Sequence, residues 1–342
     1  MTDNGNGNGN DNLDIGPGTR TLVTGGRGFV GSHLVDDLVA RGATVTVLDV
    51  TAPDGTLPAG VGYRPVDLRD PASVRAALVP ADVVFHLAGN ASGTISVDHP
   101  RFDFETNAEG TFNLFEALLD TGVRRVVYLS SAMVYGRPQT HPIAETHPLN
   151  PFLPYAASKL SGEHVAASMV ESYGLPAVVG RAFTIYGPRE DPRRAGGEVS
   201  QYLRWHLNGL PIPVVGDPDA KTRDFSHVGD LVAGLVRMAE RGAVGECYNL
   251  GSGTETSMRE LVTLIGDVTG TPARMECDLS TLEDSYRHVA DVSRLRALGH
   301  RPRVPLAEGI AALAALLGAR PELPAVPTVF QRDTPAGASA AA

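Results

Sequence analysis

Cysteine is scarce: Cys247 and Cys277 are the only two in 342 residues. They lie far apart and in neither CxxC nor Cys/His spacing, so a disulfide scaffold and a structural zinc site are both excluded. A reduced, cytoplasmic setting is the expectation. Basic charge is also in short supply, with 29 Lys+Arg against 39 Asp+Glu and a formal net charge of −10. That balance argues against a nucleic-acid groove, which needs a concentrated basic face. An anionic substrate must instead be met by a few placed arginines. No apolar run reaches the ~20 residues of a bilayer span, and the opening residues Met1 to Gly5 lack the basic and apolar regions of a signal peptide. Neither a nucleic acid nor a membrane is an expected partner. The histidines His86, His99, His141 and His147 show no ligand spacing, so no metal is expected, and His86 at a strand end reads as a packed core residue. The single Trp205 reads as core on an apolar helix face. No internal repeat is present.

Low-complexity composition is confined to the ends. Residues 3–18 alternate Asn and Gly, and the stretch from about Glu322 is rich in Pro and Ala. Both are expected as tails (1–18 and 321–342), because neither has a periodic apolar face to bury. Between them strand and helix patterns alternate. Strands are expected at 21–23, 44–49, 82–87, 125–130 and 177–181, and helices at 28–41, 71–78, 100–119 and 155–173. That alternation predicts an α/β fold with a doubly wound parallel sheet over residues 19–185. Beyond 185 the pattern loosens into a smaller α/β lobe over 186–320, with helices at 198–208, 227–241, 257–268, 291–298 and 305–317. The segment 227–250 is expected to return to the first domain.

The run Thr24-Gly25-Gly26-Arg27-Gly28-Phe29-Val30-Gly31 follows a strand and opens an amphipathic helix. Glycines there permit a tight turn and close approach of backbone to a pyrophosphate, which would sit at the positive helix N-terminus near Phe29 and Val30. The next strand ends in Asp49, a carboxylate that can accept from an adenosine ribose and would repel a 2′-phosphate. NAD is therefore expected over NADP. Arg27 is the one loop residue that could meet a 2′-phosphate instead.

Tyr155 and Lys159 are four residues apart at the start of a helix, one turn apart on the same face. A phenol that titrates near ~10 must drop by roughly three units, about 4 kcal/mol, to serve as a base at neutral pH, and a neighbouring ammonium and the positive nicotinamide ring can both contribute. A lone YxxxK spacing is common by chance. Ser131, at the end of the preceding strand, offers a hydroxyl that could pass a proton, although serine is also an ordinary turn residue.

Taken together, the glycine loop, Asp49, Ser131, Tyr155 and Lys159 resemble the extended short-chain dehydrogenase/reductase family, in its nucleotide-sugar epimerase/dehydratase branch. The resemblance runs from about Thr21 to about Leu317. It extends to Asp67-Leu68, which it places at the adenine, and to His86-Leu87-Ala88-Gly89, which it places along the cofactor. Thr106-Asn107, Ser130-Ser131, Tyr186-Gly187-Pro188-Arg189, Thr222-Arg223-Asp224-Phe225 and Tyr248-Asn249-Leu250-Gly251 match as well. By that resemblance the cofactor is held by Gly25, Gly28, Phe29, Val30, Asp49, Asp67, Leu68, Leu87, Ala88, Gly89, Asn107, Ser130, Tyr155 and Lys159. The substrate, a nucleotide-diphosphate sugar, is met by Ser131, Thr184, Val199, Val214 and Arg223. The family's second diphosphate arginine would fall on Thr281, and Arg287 is the candidate to replace it. The apolar faces of 100–119 and 155–173 are expected to pair across a homodimer.

Dehydratases of the family carry an acidic pair after the serine position, and decarboxylases a glutamate, whereas this chain has Ala132 and Met133. Elimination is thereby disfavoured. The resemblance implies 4-epimerisation of a UDP-hexose or UDP-hexuronate: Tyr155 takes the C4 hydroxyl proton, hydride passes from C4 to tightly held NAD⁺, and the 4-keto sugar turns and takes it back on its other face. Alternatives are a 4,6-dehydratase, a decarboxylase or a 4-ketoreductase of the same family, and, from another class, an NAD-sensing regulator without turnover.

Overall fold

The apolar runs expected as strands do assemble into one sheet in the computed structural model, which describes residues 13–193, 196–280 and 286–324. The first half runs β1 (Arg20–Thr24), α1 (Phe29–Ala40), β2 (Thr44–Asp49), β3 (Gly62–Pro65), α2 (Pro71–Ala77), β4 (Val83–His86), α3 (Gly93–Asp98), α4 (Pro100–Phe104), α5 (Gly110–Leu118), β5 (Arg125–Ser131), α6 (Pro154–Tyr173) and β6 (Ala177–Ala182). The second runs β7 (Thr184–Tyr186), α7 (Glu198–Leu207), β8 (Ile212–Val215), β9 (Thr222–His227), α8 (Val228–Arg241), β10 (Cys247–Leu250), β11 (Glu255–Ser257), α9 (Met258–Thr269), β12 (Met275–Asp278), β13 (Arg287–His288), α10 (Ser293–Ala297) and α11 (Leu306–Leu317).

The main sheet has seven strands in the order β10-β6-β5-β4-β1-β2-β3, all paired in parallel. Its strands read as nearly continuous apolar runs because both faces are covered. Val23, Val47, Val83 and Phe85 pack with Leu34 and Leu38 of α1 and Leu231 and Leu235 of α8. Leu22, Leu48, Val84 and Val126 point the other way, against Leu114 and Phe115 of α5 and Met169 of α6. From β1 the chain winds outward to β2 and β3, then crosses back to β4. The switch point lies between β1 and β4, where the carboxyl ends of the strands leave a crevice. The expected return of 227–250 occurs through α8 and β10. A third core, built on Tyr186, Leu203, Phe225, Met258, Leu261 and Ile310, forms the smaller lobe around β7, β8, β9 and helices α7, α9 and α11.

Several expectations need correction. β3 has no apolar alternation to announce it, since it is a mostly exposed edge strand paired with β2 alone. The single helix expected at 100–119 is interrupted by a π-helical turn at Glu105–Glu109, and α3 precedes it. The tail expected at 1–18 fails for the residues described within it. Leu13 and Ile15 are buried, and Leu13 N donates to Glu240 O at 3.0 Å while Arg241 Nη1 donates to Leu13 O at 2.7 Å. At the other end Arg204 Nη1 donates to Glu322 O at 2.9 Å and Asn208 Nδ2 to Pro321 O at 2.8 Å, so the start of the 321–342 stretch is also held. Residues 1–12 and 325–342 lie outside the described residues, as does Thr281. Among the described residues no helix is long and apolar enough to cross a membrane.

Candidate active site

The carboxyl ends of β1, β2, β4, β5 and β6 open into a cleft of 1190 Å³. On the β1 side Gly25 has φ 70, and a Cβ there would stand 2.7 Å from Ala88 N, so the loop after β1 touches the backbone of the turn after β4. Gly31 is as constrained: a Cβ there would collide with Gly25 O, and its absence lets the helix start this close beneath the loop. Gly25, Gly28, Phe29, Val30, Asp49, Asp67, Leu68, Leu87, Ala88 and Gly89 all line this half of the cleft.

Asp49 is nearly buried, and it accepts from Arg27 N at 2.9 Å through Oδ2 and from Thr51 N at 2.9 Å through Oδ1. A carboxylate has about four lone-pair sites. Two are used, and the remainder suit hydroxyl donors such as those of a ribose. Arg27 also lines the cleft, but its Nη1 is engaged, donating to Asp54 Oδ1 at 2.7 Å and to Thr56 Oγ1.

At the far end of the same cleft Ser130, Ser131, Tyr155 and Lys159 converge. β5 ends at Ser131, whose Oγ accepts from Met133 N at 3.2 Å and so caps the short 3₁₀ turn Ala132–Tyr135. Tyr155 is the second residue of α6, after Pro154, and Lys159 follows one turn later. Burial pushes the Tyr155 phenol above its ordinary range, a hydrogen bond with Ser131 pulls it down, and the Asp103 charge pushes it up. The protein's own groups therefore do not make Tyr155 a base at neutral pH. Burial pulls the Lys159 ammonium down to about 8, against the opposing charges of Glu163 and Asp103, and its Nζ sits 4.7 Å from the centre of the Tyr128 ring.

The expected substrate residues divide. Thr184 and Arg223 line the cleft, but Val199, Val214 and Arg287 do not. Val199 and Val214 are buried in the core of the smaller lobe, while their sequence neighbours Glu198 and Val215 face the cleft. Arg287 grips Glu255 through two bonds of 2.7 Å and is spent there. Asn107, expected at the cofactor, sits behind the wall: it accepts from Asn90 N at 2.8 Å and donates to Ser158 Oγ at 3.0 Å. Its contribution is to hold the turn at Gly89, not to line the cleft. His86 is a core residue, bridging Thr24 Oγ1 at 2.8 Å and Thr111 Oγ1 at 2.9 Å.

The structure adds residues that motif reading passed over. Lys221 is nearly buried, lines the cleft and donates to Val215 O at 3.2 Å. It lies immediately before β9, two residues from Arg223 in sequence, and that spacing was the available signal. Arg223 stacks on Tyr286 at 4.6 Å and lies 3.4 Å from Glu198 Oε1. Glu190 also lines the cleft, accepts from Gly197 N at 2.7 Å, and is raised by burial to about 7.

Comparison with known proteins agrees with this geometry. The NAD dependent epimerase/dehydratase family matches residues 21–251. A UDP-glucose 4-epimerase of Mycolicibacterium smegmatis is 39% identical over 306 residues, spanning 85% of this chain and 96% of that one. A dTDP-glucose 4,6-dehydratase of Actinoplanes sp. is 32% identical over 309 residues, spanning 85% and 95%. Among solved structures, the UDP-glucose 4-epimerase of Thermus thermophilus in complex with NAD superposes with a TM-score of 0.78 at 35% identity, covering 87% of this chain and 98% of that one. The chain belongs to the NAD dependent epimerase/dehydratase family, and its cofactor is NAD.

Proposed function

We propose that this enzyme is a nucleotide-sugar 4-epimerase acting on a UDP-hexose or UDP-hexuronate. The observation that carries the reading is the convergence of Ser131, Tyr155 and Lys159 at one end of the cleft, with Ala132 and Met133 lining it immediately after the serine. Neither of those two side chains can move a proton. The 39% identical M. smegmatis epimerase supports the same reaction class.

In this reading the Gly25–Val30 loop, Asp49, Asp67, Leu68 and Leu87–Gly89 hold the cofactor, with Ser130, Tyr155 and Lys159 at its nicotinamide end. When bound, NAD⁺ supplies a reversible hydride acceptor and the positive ring charge that Tyr155 needs beside it. Tyr155 removes the proton of the C4 hydroxyl, with Ser131 orienting that hydroxyl through the hydrogen bond it shares with the phenol. Lys159 favours the phenolate by its charge. Arg223 holds the diphosphate so that the sugar can present either face, and Tyr155 returns the proton after the turn. Exposed Phe104 and Phe112 on the 100–119 surface support the expected homodimer with 155–173, and a cytoplasmic setting belongs to the same reading.

Incubation with a panel of UDP-, dTDP- and GDP-sugars, read by chromatography and NMR, tests it. Interconversion of C4 epimers of one nucleotide sugar is the expected result. A second reading, elimination by a dehydratase, has one observation in its favour: Glu190 is a cleft carboxyl held at about 7, able to exchange a proton where Ala132 and Met133 cannot. It predicts a 4-keto-6-deoxy product from the same panel. Absence of any turnover with NAD bound would favour the NAD-sensing regulator.

A further inference from the structure

Asp103 is fully buried in α4, and both of its oxygens are engaged. Oδ1 accepts from Asn90 Nδ2 at 2.7 Å and Asn107 Nδ2 at 3.0 Å, and Oδ2 accepts from Ser158 Oγ at 2.6 Å. These donors come from three separate places: the turn after β4, the π-helical turn, and the first turns of α6. The π-helical turn inserts an extra residue at this point, and it is here that Asn107 reaches both Asn90 and Ser158. The cluster stands directly behind the cofactor wall: a Cβ on Gly89 would lie 2.6 Å from Asn107 Oδ1 and 3.9 Å from Lys159 Nζ. Ser158 precedes Lys159 in sequence and donates also toward Tyr155 O at 3.0 Å.

We propose that Asp103 is a positioning residue for the Tyr155–Lys159 pair, fastening the first turns of α6 to the Gly89–Asn90 turn and standing as a fixed negative charge behind the Lys159 ammonium. A carboxylate removed from water with only neutral donors around it costs stability, so the arrangement needs a compensating role. An asparagine could keep its oxygen on the two amide donors and turn its N–H toward Ser158 Oγ, which can accept it, so Asp103→Asn removes the charge with little loss of contact. The charged and titratable groups that face Lys159 are few. Glu163 faces it from its own helix and is the larger of the two opposing charges, although it is also gripped by Arg181 at 2.7 Å. From β5 comes the Tyr128 ring, from β4 the His86 ring, which burial keeps neutral at about 3, and from α6 Tyr155 itself. Asp103 is the anion among them whose hydrogen-bond donors, Asn90, Asn107 and Ser158, are all neutral. Its charge favours the ammonium of Lys159 and disfavours the phenolate of Tyr155. Removing it must move both titrations in the same direction, to lower pH.

The proposal rests on Tyr155 and Lys159 being the working pair, and the test keeps the two apart. NAD⁺ affinity of nucleotide-stripped protein is measured by calorimetry from pH 6 to 9.5 for wild type, Asp103→Asn and Ser158→Ala, alongside the pH profile of kcat. Wild-type affinity should fall as Lys159 loses its proton near pH 8. In Asp103→Asn that limb should move down by about one pH unit, the effect of a single nearby charge, and the acid limb of kcat should move the same way. Ser158→Ala keeps the charge while removing the hydroxyl that contacts Asp103, Asn107 and Tyr155 O, so it should weaken binding several-fold without moving the limb. Asp103→Ser replaces the asparagine variant if that does not fold. An unmoved limb in the Asp103 variant, or an equal movement in Ser158→Ala, overturns the proposal. If wild type turns over no nucleotide sugar, the epimerase reading fails while the NAD⁺ profile still judges Asp103.

Discussion

The buried Arg181–Glu163 pair is a demanding place to perturb this fold. Each side chain is only 7% exposed, and the pair is two-pronged: Arg181 Nη2 donates to Glu163 Oε2 at 2.7 Å and Nε to Oε1 at 3.0 Å. Glu163 Oε1 also accepts from Ser130 Oγ at 2.5 Å, which ties the pair to the end of β5. Burial works against the Arg181 charge, and the bonds to Glu163 and its charge, together with the nearby Cys247 and Tyr135 groups, more than offset it. Glu163→Met keeps the volume and removes the charge, leaving a buried guanidinium with Tyr135 OH, the Glu145 carbonyl and the Tyr135 ring for company. Breaking a buried pair on one side costs about 3–5 kcal/mol. The surviving neutral partners put the expected loss near the lower end, about 3 kcal/mol. Arg181→Met strands the carboxylate instead and should cost about as much. The double variant removes both charges together, and replacing a whole buried pair by apolar groups is often close to neutral. It should therefore cost no more than either single change, where simple addition would give about 6 kcal/mol. Urea unfolding followed by circular dichroism on all four proteins measures the cycle. Losses that add to within about 0.5 kcal/mol would show that the two residues do not act as a pair.

Four further outcomes concern the cleft and its surroundings. Tyr155→Phe should retain NAD and lower turnover by on the order of 10²–10⁴, the range for losing a general base, as steady-state kinetics on the purified variant would show. Arg223→Ala should raise the KM for the nucleotide sugar by roughly ten- to a hundredfold, since a charge-assisted contact is worth about 1.5–3 kcal/mol. Arg287→Ala should leave that KM alone, because its guanidinium is committed to Glu255 outside the cleft. With Lys159 held at about 8, the ammonium is present below that pH and lost above it, so kcat should decline as pH rises through 8. A profile flat to about pH 10, the ordinary range of a lysine, would mean that Lys159 is not needed in its charged form.

Much of the main sheet was legible because its strands are buried on both faces and so appear as plain apolar runs, as in Val83–His86 and Ala177–Ala182. The glycine loop and Asp49 were legible because spacing alone fixes where they fall, at the ends of adjacent strands. Side-chain direction was less so. A one-residue offset on β8 separates Val214 in the core from Val215 in the cleft, and a similar offset on α7 separates Val199 from Glu198, differences a motif position does not encode. Asp103 was hidden for a different reason. An acidic residue on a short helix reads as a solvated face, and its partners come from three separate places: the turn after β4, the π-helical turn and α6. Leu13 and Ile15 were masked by their Asn/Gly neighbourhood, although two apolar residues suffice to anchor the segment to α8.

The most direct test of the central claim is a reaction run in deuterium oxide with the nucleotide sugar that the enzyme accepts, followed by proton NMR. Internal return of the C4 hydride predicts an equilibrium mixture of two C4 epimers with no deuterium on any sugar carbon and no accumulation of NADH. Deuterium at C5 together with a 4-keto-6-deoxy product would contradict it, and would assign the missing proton transfer to a group such as Glu190.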